Sequence, residues 1–171
     1  MAILVEDNFL SQKLIDSIAT EIKTKIQSSE AVWATSHSWE GIVVEGANSA
    51  NMSPVSENIH KELRKQFVNL NPFYSDLKFE AFIYLWNRNS MLDWHDDAGY
   101  IASGTVYLNQ HWDSADGGLF LYKEDDKILA QEPKFNRLIL NDNRQHPTQH
   151  SVSAITPWAK QTRVTIQARF K

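Results

Sequence analysis

The stretch "ASGTVYLNQHWDSADGGLFLYK", residues 102–123, decides the fold. Two β-type runs, ASGTVYLN and GLFLYK, are rich in Val, Tyr, Leu and Phe. Between them SADGG carries Asp116-Gly117-Gly118, first of all a turn signal. The same texture continues outward. KFEAFIYLW (78–86) precedes the stretch, and RLILN (137–141), HSVSAI (150–155) and TRVTIQARF (162–170) follow it. WNRNS, KEDDK, EPKF and NRQHP supply the turns. Regular short strands with such turns predict a sandwich or barrel.

The N-terminal part has a different period. ILV at 3–5 reads as a short strand, and Ser11 as the N-cap of a helix. Leu14, Ile18, Ile22 and Ile26 recur every fourth residue, with Ile15 beside them, so the helix is amphipathic and ends near Ser28. One or two strands are expected between Val32 and Val44. GANSANMS (46–53) is expected as a loop. Ser53-Pro54 predicts a cap with Pro at the first helical position, and Val55, Ile59, Leu63 and Phe67 the apolar face of a second helix. NLNPFYSD then breaks it. Two helices before a run of strands give an α+β plan, with the helices bracing one sheet of a jelly roll. A single domain over 1–171 is expected, helical support to about 76 and strands from 77.

Composition narrows the function. The 171 residues are 42% hydrophobic and 11% aromatic, enough to fill a core. The net charge is -4, with no block of Lys or Arg, so nucleic acid is not an expected partner. Without cysteine, any metal must be held by His, Asp or Glu. MAILVEDNFL meets Glu6 and Asp7 after four apolar residues, unlike a signal peptide, and no apolar run suits a membrane span. A soluble, cytoplasmic protein is expected.

The chemistry concentrates in MLDWHDDAGY (91–100). Residues i and i+2 share a strand face, so His95 and Asp97 can point at one atom while Asp96 points away. A third ligand must come from elsewhere. His60 falls on the second helix, where a solvated face is expected, and His37 has no ligand pattern around it. His111 and His146 fall in polar turns. His150 opens a β-type run and is the best placed. Two His and one carboxylate with open positions suit non-haem Fe(II). A surface His–Asp turn with an unrelated histidine is the rival explanation. A dicarboxylate cosubstrate would add a demand for a cation. Arg163 begins the last strand, with Thr165 two residues on and on the same face; the planar guanidinium fits a carboxylate. Lys160 competes, but PWAKQ resembles the turn before that strand. Arg169 is expected as an exposed strand charge.

These motifs together resemble the 2-oxoglutarate- and Fe(II)-dependent oxygenases, in the prolyl 4-hydroxylase-like branch. WHDD resembles the H-x-D, GTVYLNQHWDSADGGLFLY the strand–turn–strand, and EPKFNRLIL the strand before the distal histidine. HSV and RVTI resemble the distal His and the R-x-S/T pattern, and VEDNFLSQKLIDSI the opening strand and helix. The resemblance implies a double-stranded β-helix. It implies Fe(II), 2-oxoglutarate and O₂, with ascorbate in support. The implied reaction hydroxylates a C–H bond, most commonly of peptidyl proline, and releases succinate and CO₂. It assigns His95, Asp97 and His150 to iron, Arg163 to the C5 carboxylate, and Tyr107 and Thr165 to the cosubstrate. Tyr84 resembles a pocket tyrosine, and Trp86 joins it as a candidate substrate contact. Asp97 keeps the carboxylate that related halogenases lack, which favours hydroxylation.

A free amino acid or other small molecule stays open as substrate. A cupin-like module that binds metal without turnover is the rival from another class. A purely structural sandwich would leave His95, Asp97 and His150 far apart.

Overall fold

Strand β11, Arg163–Phe170, runs through the middle of the larger of two antiparallel sheets. The computed structural model describes residues 3–28, 31–35, 50–144 and 146–171. The elements are β1 (Ile3–Asp7), α1 (Gln12–Gln27), β2 (Ala34–Thr35), β3 (Asn51–Pro54), α2 (Glu57–Leu70), β4 (Phe79–Trp86), β5 (Leu92–His95), β6 (Ala102–Tyr107), β7 (Phe120–Glu124), β8 (Lys127–Gln131), β9 (Arg137–Asp142), β10 (His150–Val152) and β11. The major sheet has the order β1-β9-β6-β11-β4-β3-β2, and the minor sheet β5-β10-β7-β8. This is the expected jelly roll.

Alternation along β11 separates two environments. Ile166, Ala168 and Phe170 face α1 and α2 with Leu14, Ile18, Leu63 and Phe67. The Phe67 and Phe170 rings meet edge to face, 5.4 Å apart. Burying each such side chain contributes about 1.5–3 kcal/mol. This apolar face fixes the major sheet as a platform. The other face looks toward the minor sheet.

Helix α1 matches its period. Ser11 Oγ accepts from Leu14 N–H at 3.4 Å, and Ser28 closes the helix. Helix α2 starts later than expected. Asn51–Pro54 is a strand rather than a loop and a cap, because its backbone pairs with β4 from Asn51↔Leu85 to Pro54↔Phe82. Proline is tolerated at that strand end. Ser56 is the residue before the helix; its side chain makes no capping bond, and its N–H donates to Glu21 Oε1 of α1 at 2.9 Å. The helix then buries Ile59, Leu63 and Phe67, as the period predicts. His60 is not on a solvated face: its ring lies 4.9 Å from that of Phe79, and Nε2 is 3.0 Å from the Phe79 carbonyl.

Strand β8 has no counterpart among the expected strands. It is a sheet edge with exposed Lys127 and Ile128, so its alternation is weak. Between Val32 and Val44 the structure shows β2; residues 36–49, including His37, lie outside the described residues. Among the described residues no helix is long and apolar enough to cross a membrane.

Candidate metal centre

Strands β5 and β10 pair antiparallel, with His95 opposite His150. The imidazole centroids stand 4.2 Å apart. Asp97 reaches the same place by a different route from the one expected. Strand β5 ends at His95, and Asp97 lies beyond it at φ 52°, in the left-handed region. Strand alternation therefore does not orient it; a turn does. Aspartate tolerates this conformation better than most residues. Asn143 holds the turn, its amide donating to the carbonyls of Asp97 at 3.0 Å and Tyr100 at 3.1 Å. Asp96 accepts from Ala98 N–H at 3.0 Å, which fastens its carboxylate to its own turn.

One ligand atom each from His95, Asp97 and His150 lie within 4.8 Å of one another. Nδ1 of His95 is 2.8 Å from the Asp93 carbonyl, and Nδ1 of His150 is 2.9 Å from that of Thr148. A carbonyl only accepts, so these bonds place a proton on each Nδ1 and direct Nε2 toward the third ligand. The Nε2 atoms lie 3.7 and 3.4 Å from the Asp97 oxygens. Phe120 stacks on His150 at 5.2 Å. Burial pushes the Asp97 carboxyl up, but contacts with His150 and Ser103 outweigh it and hold the pKa at about 2. Burial and the neighbouring His150 lower His95, which favours its neutral form. One carboxylate and two imidazoles therefore converge, a donor set that fits Fe(II).

The cavity holding these residues is also lined by Trp86, Ser103, Thr105, Ile139, Gln167 and Arg169. Arg163 is fully buried, while Lys160 is exposed. The Arg163 guanidinium lies 5.0 Å from the Trp86 ring and 4.9 Å from that of Tyr107. Among the described residues no carboxylate pairs it; its polar neighbour is the buried Tyr107 hydroxyl, close enough to favour the charged guanidinium but not placed for a well-aligned hydrogen bond. Burial lowers the Arg163 pKa, the mark of a cation kept from water. A buried charge costs several kcal/mol unless something pairs it. Thr165 accepts from Trp86 Nε1 at 3.0 Å, so its hydroxyl is engaged with the indole. Tyr84 is fully buried, and its hydroxyl accepts from Arg169 at 3.3 Å.

Sequence reasoning missed several residues here. Gly118 has φ 68°, and a Cβ there would come within 2.9 Å of Arg163 Cδ. The second glycine of the turn thus leaves room for the arginine as well as allowing the bend. Asn141, lying 3.4 Å from His150 Nδ1, and Asn143 carry no motif signal. Arg169 is not the exposed strand charge expected. Strand parity from Arg163 through Thr165 and Gln167 was sufficient to place it on the inner face.

No curated protein matches the chain in sequence. Solved structures do match in fold. A Pseudomonas putida prolyl-4-hydroxylase superposes with a TM-score of 0.75 at 17% identity, covering 99% of this chain and 92% of the other. A Trichoplax adhaerens prolyl hydroxylase, in complex with a hypoxia inducible factor oxygen degradation domain peptide fragment, gives 0.77 at 18%, covering 99% and 83%. The non-heme alpha ketoglutarate dependent epimerase SnoN from nogalamycin biosynthesis gives 0.66 at 12%, covering 99% and 78%. These likenesses establish the double-stranded β-helix. The model of the 2OG-Fe(II) oxygenase superfamily matches residues 79–170, the span that holds the triad and Arg163. Fe(II), 2-oxoglutarate and O₂ follow as the cofactor and cosubstrates. The chain belongs to the 2OG-Fe(II) oxygenase superfamily.

Proposed function

We propose that the protein hydroxylates a C–H bond, most naturally of a prolyl residue in a peptide, with release of succinate and CO₂. One observation carries the cosubstrate part. Arg163 is a fully buried guanidinium that no carboxylate of the described residues pairs, stacked on Trp86, which lines the triad cavity, and an incoming carboxylate would complete it. His95, Asp97 and His150 would hold the iron. Arg163 would pair the far carboxylate of 2-oxoglutarate, the Tyr107 hydroxyl would donate to the same molecule, and Thr165 would fix the Trp86 indole beside it. Iron and 2-oxoglutarate, when bound, supply the oxidant for the C–H bond. Trp86, which lines the cavity, would form the wall on which the substrate rests, with the buried Tyr84 ring stacked behind it. The prolyl assignment draws on two prolyl hydroxylase neighbours, one of them holding a peptide.

The test measures succinate from 2-oxoglutarate with Fe(II) and ascorbate, over a panel of proline peptides. Wild type should form succinate and add one oxygen to a peptide, and His95→Ala should do neither. Iron uptake with no succinate across the panel would turn the reading toward a cupin-like binding module.

A further inference from the structure

An arginine lines the cavity itself. Arg169 leaves β11 on the same face as Arg163, six residues on, so the two Cα atoms lie about 20 Å apart at about 3.3 Å per residue. Arg163 lies behind Trp86, which lines the cavity. Arg169 lies opposite Ser103 in the sheet register, and both line the cavity with His95, Asp97 and His150, so Arg169 stands beside the triad. It lines the cavity and is partly exposed. Its side-chain partners among the described residues are two hydroxyls, Tyr100 at 3.3 Å from Nη1 and Tyr84 at 3.3 Å from Nη2. Its guanidinium also lies 5.1 Å from the Tyr100 ring. No carboxylate of the described residues forms an ion pair with it; the nearby Glu80 is taken by Lys78 at 2.7 Å and Lys171 at 3.8 Å. Asp97 is the remaining anion of the cavity, and a metal would claim it.

A partly exposed guanidinium in the cavity wall, already oriented by two tyrosines, is half of a carboxylate site. The planar fork accepts both oxygens of a carboxylate. The Tyr100 hydroxyl, accepting from Arg169, keeps its own hydrogen to donate to an incoming oxygen. Building on the oxygenase reading above, we propose that Arg169, with Tyr100, binds a carboxylate of the substrate and so selects acid-bearing substrates. That carboxylate can come from a free amino acid or from an acidic side chain beside the target residue in a peptide.

Calorimetry on the protein loaded with Zn(II), a redox-silent stand-in for iron, and 2-oxoglutarate tests this. Two matched probe pairs separate the sources: L-proline against L-prolinamide, and a proline peptide with a flanking Asp against the same peptide with Asn. The acid of at least one pair should bind about tenfold more tightly than its amide. Arg169→Gln should erase that difference, and Arg169→Lys, which keeps the charge without the fork, should restore part of it. Equal affinities within both pairs for wild type would overturn the proposal. So would a difference that survives Arg169→Gln, or a fall in 2-oxoglutarate affinity matching that of Arg163→Met. Wild type forming no succinate would instead sink the oxygenase reading, and would leave the binding comparison standing on its own.

Discussion

On one face of β11, Ile166, Ala168 and Phe170 pack against the helices. On the other face lie Arg163, Thr165, Gln167 and Arg169, of which Gln167 and Arg169 line the cavity of the triad. The two rows interleave residue by residue. The first gains its free energy from excluded water and tight packing. The second carries two guanidinium groups, one of them fully buried, and no carboxylate of the described residues pairs that one. One strand can carry both because the packed face fixes its register and the polar face inherits that precision. The comparison predicts opposite responses to truncation on the two sides.

The largest effect should come from the packed face. Phe170 stacks on Tyr74 with centroids 4.5 Å apart and lies 4.9 Å from Phe79. Phe170→Ala should cost about 3–5 kcal/mol of stability in urea unfolding. The iron bound per folded molecule should not change. If iron capacity falls in step with stability, the two faces are not separable.

Arg163→Met should act in the other direction. It removes a buried cation that no carboxylate of the described residues pairs, so the ligand-free protein should gain about 1–3 kcal/mol of stability. The 2-oxoglutarate affinity should fall by about 2–5 kcal/mol. Calorimetry and urea unfolding on the same samples read both. A loss of stability would mean that Arg163 serves the fold and not a ligand.

This contrast also explains what was legible in the sequence. The apolar period of α1 follows from residue type and spacing, while residue type and spacing single out His95, Asp97, His150 and Arg163 as candidates and the family resemblance assigns their roles. What was hidden depended on tertiary pairing. Asn51–Pro54 looks like a loop and a helix cap until β4 offers it a hydrogen-bonding edge. Asp97 looks like a strand residue until Asn143, distant in sequence, takes hold of its turn. Gly118 looks like an ordinary turn glycine until Arg163 packs against it. In each case the deciding partner lies far along the chain, where local pattern carries no information.

Asn143 offers a smaller test of how finely the polar face is set. Asn143→Ala removes the donor to the carbonyls of Asp97 and Tyr100. Iron affinity, measured against a competing chelator, should weaken about tenfold, the lower end for a residue that orients a ligand. Stability should fall by about 1–2 kcal/mol. Unchanged iron affinity would show that the 96–100 turn holds Asp97 without help.

The smallest effect concerns a third arginine, Arg137 of β9, which differs from Arg163 in having its own carboxylate. Asp7 of β1 accepts from Arg137 Nε at 2.6 Å and Nη2 at 3.1 Å, and from Lys134 Nζ at 2.5 Å. The Arg137 and Lys134 hydrogen bonds hold the Asp7 carboxyl well below the usual carboxylate range, against a weaker push from burial. A carboxyl depressed in the folded state stabilises the protein fully above its unfolded pKa, about 3.9, and that contribution is lost as pH falls toward the folded value. Asp7 is 34% exposed, so solvent and salt screen the pair. Asp7→Asn should therefore cost only about 0.5–1 kcal/mol at pH 7. The gap between wild type and variant in urea unfolding should narrow by pH 3 and in 1 M salt. A gap independent of pH would mean that packing, not charge, joins β1 to β9 there. The lack of a carboxylate beside Arg163 would then need explaining by packing as well, because the arginine that has one would show no gain from it.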